Sequence, residues 1–599
     1  MRKSILISLF ALLGIFSAHA YDVEVDGIYY KHISGTYQVE VTGKFYLGND
    51  YSGSVVIPSS VTYNGTTFAV TSIGDIAFRF CVSLTSVTIP ESVISIGERA
   101  FQNCFDLTSV TIPESVTSIG NSSFSGCTGL TSVTIPESVT SIGDMAFEGC
   151  SGLTSVEWNA VDCKIGDIGW QIVVGPFNEC ENITDMTLGS QVTHIPSYLC
   201  YGMNKLASVT IPEGVISIGT CVFWDCKELT TMALPESVDT VGPNAFYGTS
   251  ISNPLYNSKI FAYMPTDYSG EYEIPTGIQS IAGGAFAECS GLSSVMIPES
   301  VTSIGIWAFY GCSGLTTMTL PESVDTVGAY AFHATSISNP LYNSKVFVYM
   351  PTDYSGEYEI PTGIQSIAGG AFAECSGLIS VTIPESVTSI ESWVFDGCNG
   401  LTSVISLAKT PPYCGGYIFN GDYYSATLLV PRGSKADYQS AEEWSKFTTI
   451  YESGFDGTGL VSVQANDSAM GRITGGGEYE IDEEITIEAI PNEGYYFVRW
   501  DDGNTDNPRV LTVSYDITLT AIFAKEGEYP TSNENTEADN FRVYVQDRTI
   551  HLSEDRGSVQ VYNMAGQCVH NGHSTAIPVQ LGGVYVLVAG TQRVKVLVK

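Results

Sequence analysis

The chain has 599 residues, more than one ordinary globular core holds. It carries 64 acidic against 25 basic residues, a formal charge of −39. A polyanion is repelled by such a chain, so nucleic acid and anionic lipid surfaces are disfavoured as partners.

At the N-terminus, Arg2 and Lys3 precede an apolar run from Ile5 to Phe16, and SAHA at 17–20 offers Ala18-x-Ala20 for cleavage. This pattern predicts a secretory signal over 1–20. The run is too short for a stable spanning helix, and no later stretch of about 20 apolar residues follows. Position 21 is Tyr21, so no lipoprotein anchor is indicated.

A repeat then takes over. LTSVTIPESVTSIG at 107–120 recurs letter for letter at 130–143, and at 84–97 with only Ile94 changed. Ile-Pro or a near equivalent returns mostly every 23 residues, sometimes every 40, from 89–90 to 383–384. Within one unit the apolar positions are Leu107, Val110, Ile112, Val116, Ile119, Phe124 and Cys127. Val110 and Ile112 alternate as on a strand with one buried face. Pro113 lacks an N–H and ends that strand, and Gly120 and Gly126 let the chain turn back. One unit is therefore a flat coil that cannot cover its own apolar side. Stacked coils bury it, at roughly 1.5–3 kcal/mol per large side chain. The expectation is an all-β solenoid stabilised by contacts between neighbouring coils.

The pattern L-x-x-V-x-I-P-x-x-V-x-x-I-G-x-x-A-F-x-x-C resembles the BspA-like leucine-rich repeat of bacterial surface proteins, over a solenoid at 81–403. Residues 21–80 resemble that family's N-terminal entry cap, and 404–452 its closing cap. The stretch 157–200 keeps the apolar rhythm but lacks Ile-Pro, so a distorted or enlarged coil is expected there. YMPTDYSGEYEIPTGIQSIAGGAFAECSGL occurs at 263–292 and again, unchanged, at 349–378, an offset of 86. TSISNPLYNSK at 249–259 and 335–345 is expected to form a hairpin-like excursion. A site on the first copy would then recur on the second and give bivalency.

After the solenoid come small β modules. Residues 459–524 alternate strands with Gly- and Asn-rich turns. They resemble the internalin B-type repeat through Gly471, Gly494, Tyr495, Phe497, Trp500, Asp502, Gly503 and Phe523. Residues 525–540 are a polar, acidic linker. The segment 541–599, with VQVYNMAGQCV, LGGVYVLVAG and VKVLVK, resembles the type A C-terminal sorting domain of type IX secretion. That resemblance implies engagement of outer-membrane secretion machinery and display on the outer surface of a Gram-negative cell.

Fifteen cysteines include Cys81, Cys104, Cys127 and Cys150 at intervals of 23, and Cys289 with Cys312. The choice is a disulfide framework or metal ladder against a column of buried apolar thiols. Their place beside Phe124 and Leu130 favours buried thiols; Cys221 with Cys226 and Cys163 with Cys180 stay open. No His lies in a motif with a nucleophile or with metal-ligand spacing on a helix. His570 and His573 in HNGH read as a solvated turn, and DDGNTDN at 501–507 as a turn lacking the full calcium-loop pattern. No catalytic residue, metal site or cofactor is expected, and the chain reads as a monomer and not an enzyme.

What remains is surface. Ser109 and Thr111, Ser132 and Thr134 point outward from the strands, and Glu271, Glu273, Glu357 and Glu359 take those places in the long units. A second column, two residues before each repeat Phe, varies freely: Arg99, Ser122, Met145, Cys221, Asn244, Gly284, Trp307, Tyr330, Gly370 and Trp393. We read it as a position the fold does not dictate. Trp307, Tyr330 and Trp393 there are candidate binding residues, against the alternative that they cover the edge of the next coil. The expected work is adhesion to a host or neighbouring-cell macromolecule, an extracellular protein or glycan; the family resemblance implies matrix-type proteins. The alternatives are glycan capture and a passive spacer.

Overall fold

A computed structural model describes residues 21–44, 50–165, 174–419, 426–454, 458–525, 543–546, 549–552, 558–563, 568–579, 583–589 and 592–598. The signal segment 1–20 and all of the linker 525–540 except Lys525 lie outside the described residues. The chain divides into two compact units, 1–428 with 436–449, and 429–435 with 450–599.

The first unit opens with an antiparallel meander of Val23–Val25, Ile28–His32 and Gln38–Thr42. Asn64 and Gly65, at φ 49° and 79°, close a tight hairpin between Ser60–Tyr63 and Thr66–Ile73. Asn-Gly suits that turn because both central residues need positive φ. Thr66–Ile73 then starts the stack. Its Ser72 and Ile73 pair in parallel with Ser95–Ile96, followed by Ser118–Ile119, Ser141–Ile142 and Lys164–Ile165. The longer strands stack in parallel too: Gly53–Val56, Leu84–Thr88 and Ser109–Thr111, then Ser132–Ile135, Ser155–Trp158 and Asp185–Leu188.

Each regular coil thus has two strands, where the sequence pattern indicated one. The second is only two residues long, too short for alternation to be legible. The third side of the coil is a run of turns, yet it carries its own hydrogen-bond ladder. Arg99, Phe101 and Asn103 donate their N–H groups to Asn121 O, Ser123 O and Ser125 O of the next coil, at 2.9, 2.6 and 2.8 Å. Arg99 and Asn103 adopt φ of 52° and 61°.

Inside, the repeat phenylalanines stack. Phe78, Phe101, Phe124 and Phe147 follow one another at 4.8, 4.9 and 4.9 Å with planes within 5°. The cysteines are all free thiols, and the repeat column is buried. Cys104, Cys127 and Cys150 donate to the carbonyls of Phe78, Phe101 and Phe124 at 3.0–3.2 Å. The open pairs Cys221 with Cys226 and Cys163 with Cys180 are not bridged.

The irregular stretch is an enlarged coil: Ser155 pairs with Asp185, thirty residues on instead of 23, and buried Trp158 fills the place of Ile135. The excursions are hairpins, Leu255–Tyr256 against Ile260–Tyr263 and Leu341–Tyr342 against Val346–Tyr349. Asn257 and Asn343 anchor them. The Asn257 amide donates to Pro235 O and Val238 O and accepts from Lys259 N and Ile260 N, at 2.8–2.9 Å. At the far end, Tyr438 donates to Ala408 O and Trp444 to Pro412 O, and Phe419 continues the ring stack from Phe395 at 5.1 Å.

In the second unit, Gly477–Glu480, Thr458–Ala465, Ile517–Lys525 and Tyr495–Trp500 form one sheet. Gly471–Thr474, Glu484–Pro491 and Arg509–Thr512 form another. They enclose Val461, Ile487, Trp500 and Phe523. Residues 501–507 are a turn, in which Asp502 and Asn504 accept the N–H groups of Asn504 and Asp506. The last segment has a three-stranded and a four-stranded sheet around Ile550, Val561 and Leu587. His570 and His573 do not lie in a turn. They sit on Cys568–His573, paired with Ser558–Asn563.

Candidate functional site

The column two residues before each Phe is not left open by the fold. Arg99, Ser122, Met145, Cys221, Asn244, Gly284, Trp307, Tyr330, Gly370 and Trp393 all adopt positive φ, between 50° and 69°. The backbone is dictated; only the side chain is free. A non-glycine residue in this region costs roughly 1–2 kcal/mol relative to glycine. Tryptophan and tyrosine here are therefore held against a standing local preference for glycine.

Trp307 and Trp393 are 37% and 38% exposed. Tyr330 is half-buried and reaches over the following coil. Its ring lies 6.1 Å from Trp393 at 32°, and its hydroxyl donates to Asp396 Oδ2 at 3.2 Å. Burial first, and the Asp396 carboxylate second, push the Tyr330 hydroxyl well above its usual range. It therefore stays a donor at any physiological pH. His333 meets the Tyr330 ring edge-on at 5.5 Å, stacks on Tyr310 at 5.8 Å, and has Nε2 3.7 Å from Glu374 Oε2.

Of the three sequence-predicted rings, the structure brings Tyr330 and Trp393 together. Trp307 stands one copy earlier and has no ring partner among the described residues. Glu271, Glu273, Glu357 and Glu359 are exposed on the longer strands, opposite Ser294, Met296, Ser380 and Thr382. They do not join the rings.

Sequence reasoning missed the column one residue after each repeat Phe, or after Cys200 where it takes the place of the Phe. It holds Tyr201, Trp224, Tyr247, Tyr310, His333 and Asp396. Tyr201 stacks on Trp224 at 6.2 Å, and Trp224 meets Tyr247 at 4.5 Å with planes tilted by 35°. The same variability that singled out the first column would have found this one. Among the described residues no group of three or more His, Cys, Asp or Glu side chains is placed to hold a metal ion.

The flank thus combines aromatic rings, a protonated phenol and carboxylates on a rigid ladder. Chemically it can grip a partner by apolar contact, hydrogen bonding and attraction of positive charge.

The BspA type leucine rich repeat region matches residues 54–168, 164–264, 257–347 and 342–470. The chain belongs to this BspA-type family. A divergent InlB B-repeat domain matches 461–527, in agreement with the resemblance of 459–524. Similar solved structures include a leucine-rich repeat protein from Bacteroides ovatus, 27% identical over 69% of this chain and 100% of that one, with a TM-score of 0.35. Another is a leucine rich cell surface protein from Faecalibacterium prausnitzii, 26% identical over 64% and 94%, with a TM-score of 0.36. A third is a leucine rich repeat protein from T. pallidum, 27% identical over 38% and 88%, with a TM-score of 0.27. No curated protein matches the chain. No helix among the described residues is long and apolar enough to cross a membrane.

Proposed function

We propose that this BspA-type protein is an exported, non-enzymatic surface adhesin that binds an extracellular protein through its ring-bearing flank. The observation that carries the reading is the left-handed column: Trp307, Tyr330 and Trp393 occupy backbone positions where glycine costs least, and each presents a ring toward the surface. Retaining such residues suits a recognition surface better than a spacer. A protein ligand is favoured over a glycan because Tyr201 stacks on Trp224 and Trp224 leans on Tyr247 with planes tilted by 35°, so that ring face is taken up within this row. Their edges, not the faces a sugar stacks on, are left for a partner. Export follows from the signal at 1–20, and outer-surface display from the sorting-like segment 541–599.

The test uses beads carrying the mature chain, 21–599, and its Trp307→Ser/Trp393→Ser variant. Both are exposed to immobilised matrix proteins and to glycan arrays, with circular dichroism as the control for folding. Retention on a protein, reduced in the folded variant, is expected. Retention on glycans alone would replace adhesion by glycan capture, and no retention anywhere would leave a spacer.

A further inference from the structure

The duplicated block is conserved in its interior and altered on its flank. Between the copies, Asn244 becomes Tyr330 and Tyr247 becomes His333. Gly305, Ile306 and Tyr310 become Glu391, Ser392 and Asp396. Elsewhere in the block the interior differences are conservative, as Ile260 against Val346 and Ala262 against Val348, while Ser293 and Met296 on the longer strands become Ile379 and Thr382.

Glu391 is the telling change. It stands where most coils have a glycine, as at Gly97, Gly120, Gly143, Gly219, Gly242, Gly305 and Gly328, while Ala282 and Ala368 take the place in the long units and Pro196 after the enlarged coil. At Gly120 an added Cβ would lie 2.6 Å from Glu98 N, and at Gly305 it would press on Gly283 N. Ala282 and Ala368 fit a methyl group there with bonds of 2.8 Å to Phe261 O and Phe347 O; around the longer Glu391 two bonds are wider than in the first copy, while Glu374 N to Asp396 O stays short at 2.6 Å. Gly370 N to Ser392 O is 3.2 Å, against 2.9 Å for Gly284 N to Ile306 O. Glu391 N to Ile367 O is 3.0 Å, against 2.8 Å for Gly305 N to Ile281 O. Phe372 and Phe395 stand 5.2 Å apart and tilt by 32°, against 4.8 Å and 16° for Phe286 and Phe309. A groove of about 520 Å³ lies here, lined by Asp325, Ser366, Gly369, Glu391, Ser392 and Trp393.

We propose that this groove receives a cationic side chain, the guanidinium or ammonium of a basic protein segment, between the Trp393 ring and the Glu391 carboxylate. The proposal rests on the reading of this flank as the recognition surface, and names the chemistry that it selects. Lys345 already pairs with Asp325 at 2.6 Å, whereas exposed Glu391 makes no ion pair among the described residues. A carboxylate beside a half-open tryptophan suits a planar cation, which stacks on the ring and bonds the carboxylate in a fork. A chain of charge −39 draws basic segments toward it. The first copy, with Gly305 and Asn244, offers neither the carboxylate nor the second ring. The block is therefore one site on a duplicated scaffold, not a bivalent pair.

The test titrates the mature chain with a fluorescein-labelled nonapeptide of alternating Arg and Gly, its citrulline counterpart, and a neutral hexasaccharide. The variants are Glu391→Gln, Glu391→Gly, Trp393→Ser and Glu137→Gln. Glu391→Gly restores the residue that most coils carry, so its folding is secure. Glu137 is an exposed carboxylate on a distant coil and controls for general attraction. The Arg peptide should bind about tenfold more weakly to Glu391→Gln and Glu391→Gly, as loss of a charge-assisted bond implies. Trp393→Ser should weaken it, while Glu137→Gln leaves it unchanged, and citrulline should abolish it. Equal binding of the citrulline peptide, or equal losses in Glu391→Gln and Glu137→Gln, overturns the proposal, as does binding of the hexasaccharide alone. If the Arg peptide fails while the double Trp variant still loses its adhesion ligand, the cation site falls and the adhesion reading stands. If that variant keeps all its adhesion and the Arg peptide still binds as described, the adhesion reading falls alone.

Discussion

The Tyr330 ring occupies the space that a side chain at Gly370 would need. A Cβ added to Gly370 would lie 2.7 Å from Tyr330 Cδ1 and 2.8 Å from Cε1, on a backbone at φ 68°. Gly284 stands in the same relation to the Asn244 side chain of the coil before it. Glycine in this column thus marks the coil over which its neighbour reaches. Gly370→Ala should displace the ring from Trp393 and cost about 1–3 kcal/mol, from left-handed strain and the clash together. Tryptophan fluorescence and a thermal melt check this. An unaltered emission spectrum in Gly370→Ala would mean that the two rings do not meet in solution.

Ile112 is buried just after Ser109–Thr111, within the apolar core of the solenoid. Ile112→Asp places an unpaired charge there, at roughly 3–5 kcal/mol. Because each coil is held only by its neighbours, the damage should stay local. Limited proteolysis should open residues 80–150 before the second unit. An unchanged digestion pattern would show that Ile112 does not face inward.

The thiols supply a pH dependence. Burial pushes Cys163, Cys226, Cys289 and Cys375 up to about 12. A raised thiol favours the folded state below its unfolded value, near 8.5. That contribution is lost as pH rises from there toward 12, because the unfolded chain ionises first. Stability should therefore fall on the alkaline side from about pH 8.5. At pH 8 iodoacetamide should modify exposed Cys568 quickly and the buried column only on unfolding. Mass spectrometry that found Cys104 bridged to Cys127 would sink the free-thiol ladder.

Much of this was legible in the repeat. The spacing of Val110, Ile112, Phe124 and Cys127 gave the coil, the inward face and the thiol column, because a copied unit must bury the same positions each time. The two-residue strands such as Ser118–Ile119 were not legible, since period-two alternation needs more residues to register. The left-handed column was misread as unconstrained. Sequence variability reports what side chains are tolerated, and a backbone at positive φ leaves little trace when Arg, Met and Trp all accept it. The partners of Tyr330 were hidden for another reason: Asp396 lies 66 residues away, and only stacking across a long coil brings it near.

The hairpin excursions carry an acid-sensitive staple. Glu236 accepts the N–H and hydroxyl of Ser258, and Glu322 those of Ser344. These bonds, the side-chain ones first, hold both carboxylates below their usual range. A depressed carboxylate stabilises above its unfolded value, about 4.3, and the effect is lost as pH falls through the folded one. Protection of the Ser258 and Ser344 amides from hydrogen exchange should fall as pH drops below the ordinary glutamate value, about 4.3. Glu236→Gln and Glu322→Gln should lose that acid step. A step that survives both substitutions would assign it to other carboxylates.

Arg432 offers a test of the second unit. Its guanidinium donates through Nε and Nη2 to Asp516 Oδ2 and Oδ1 at 2.8 and 3.1 Å, and through Nη1 to Glu478 Oε1 at 2.8 Å. Asp516 Oδ1 also accepts Leu460 N at 2.8 Å. One fork therefore ties the segment before residue 436 to the edge strand Gly477–Glu480 and to the turn before Ile517–Lys525. Lysine cannot reproduce it, because a point charge cannot make the parallel pair of bonds. Asp516 is mostly shielded from solvent while Arg432 is about one-third exposed. The loss in Arg432→Ala should then be moderate, about 1–3 kcal/mol, from an unmatched carboxylate and the lost charge-assisted bonds. Arg432→Lys should recover only part of it. Urea unfolding followed by Trp500, which is buried in this module, reports the difference directly. Full stability in Arg432→Lys would mean that charge alone holds the joint and the fork geometry adds nothing.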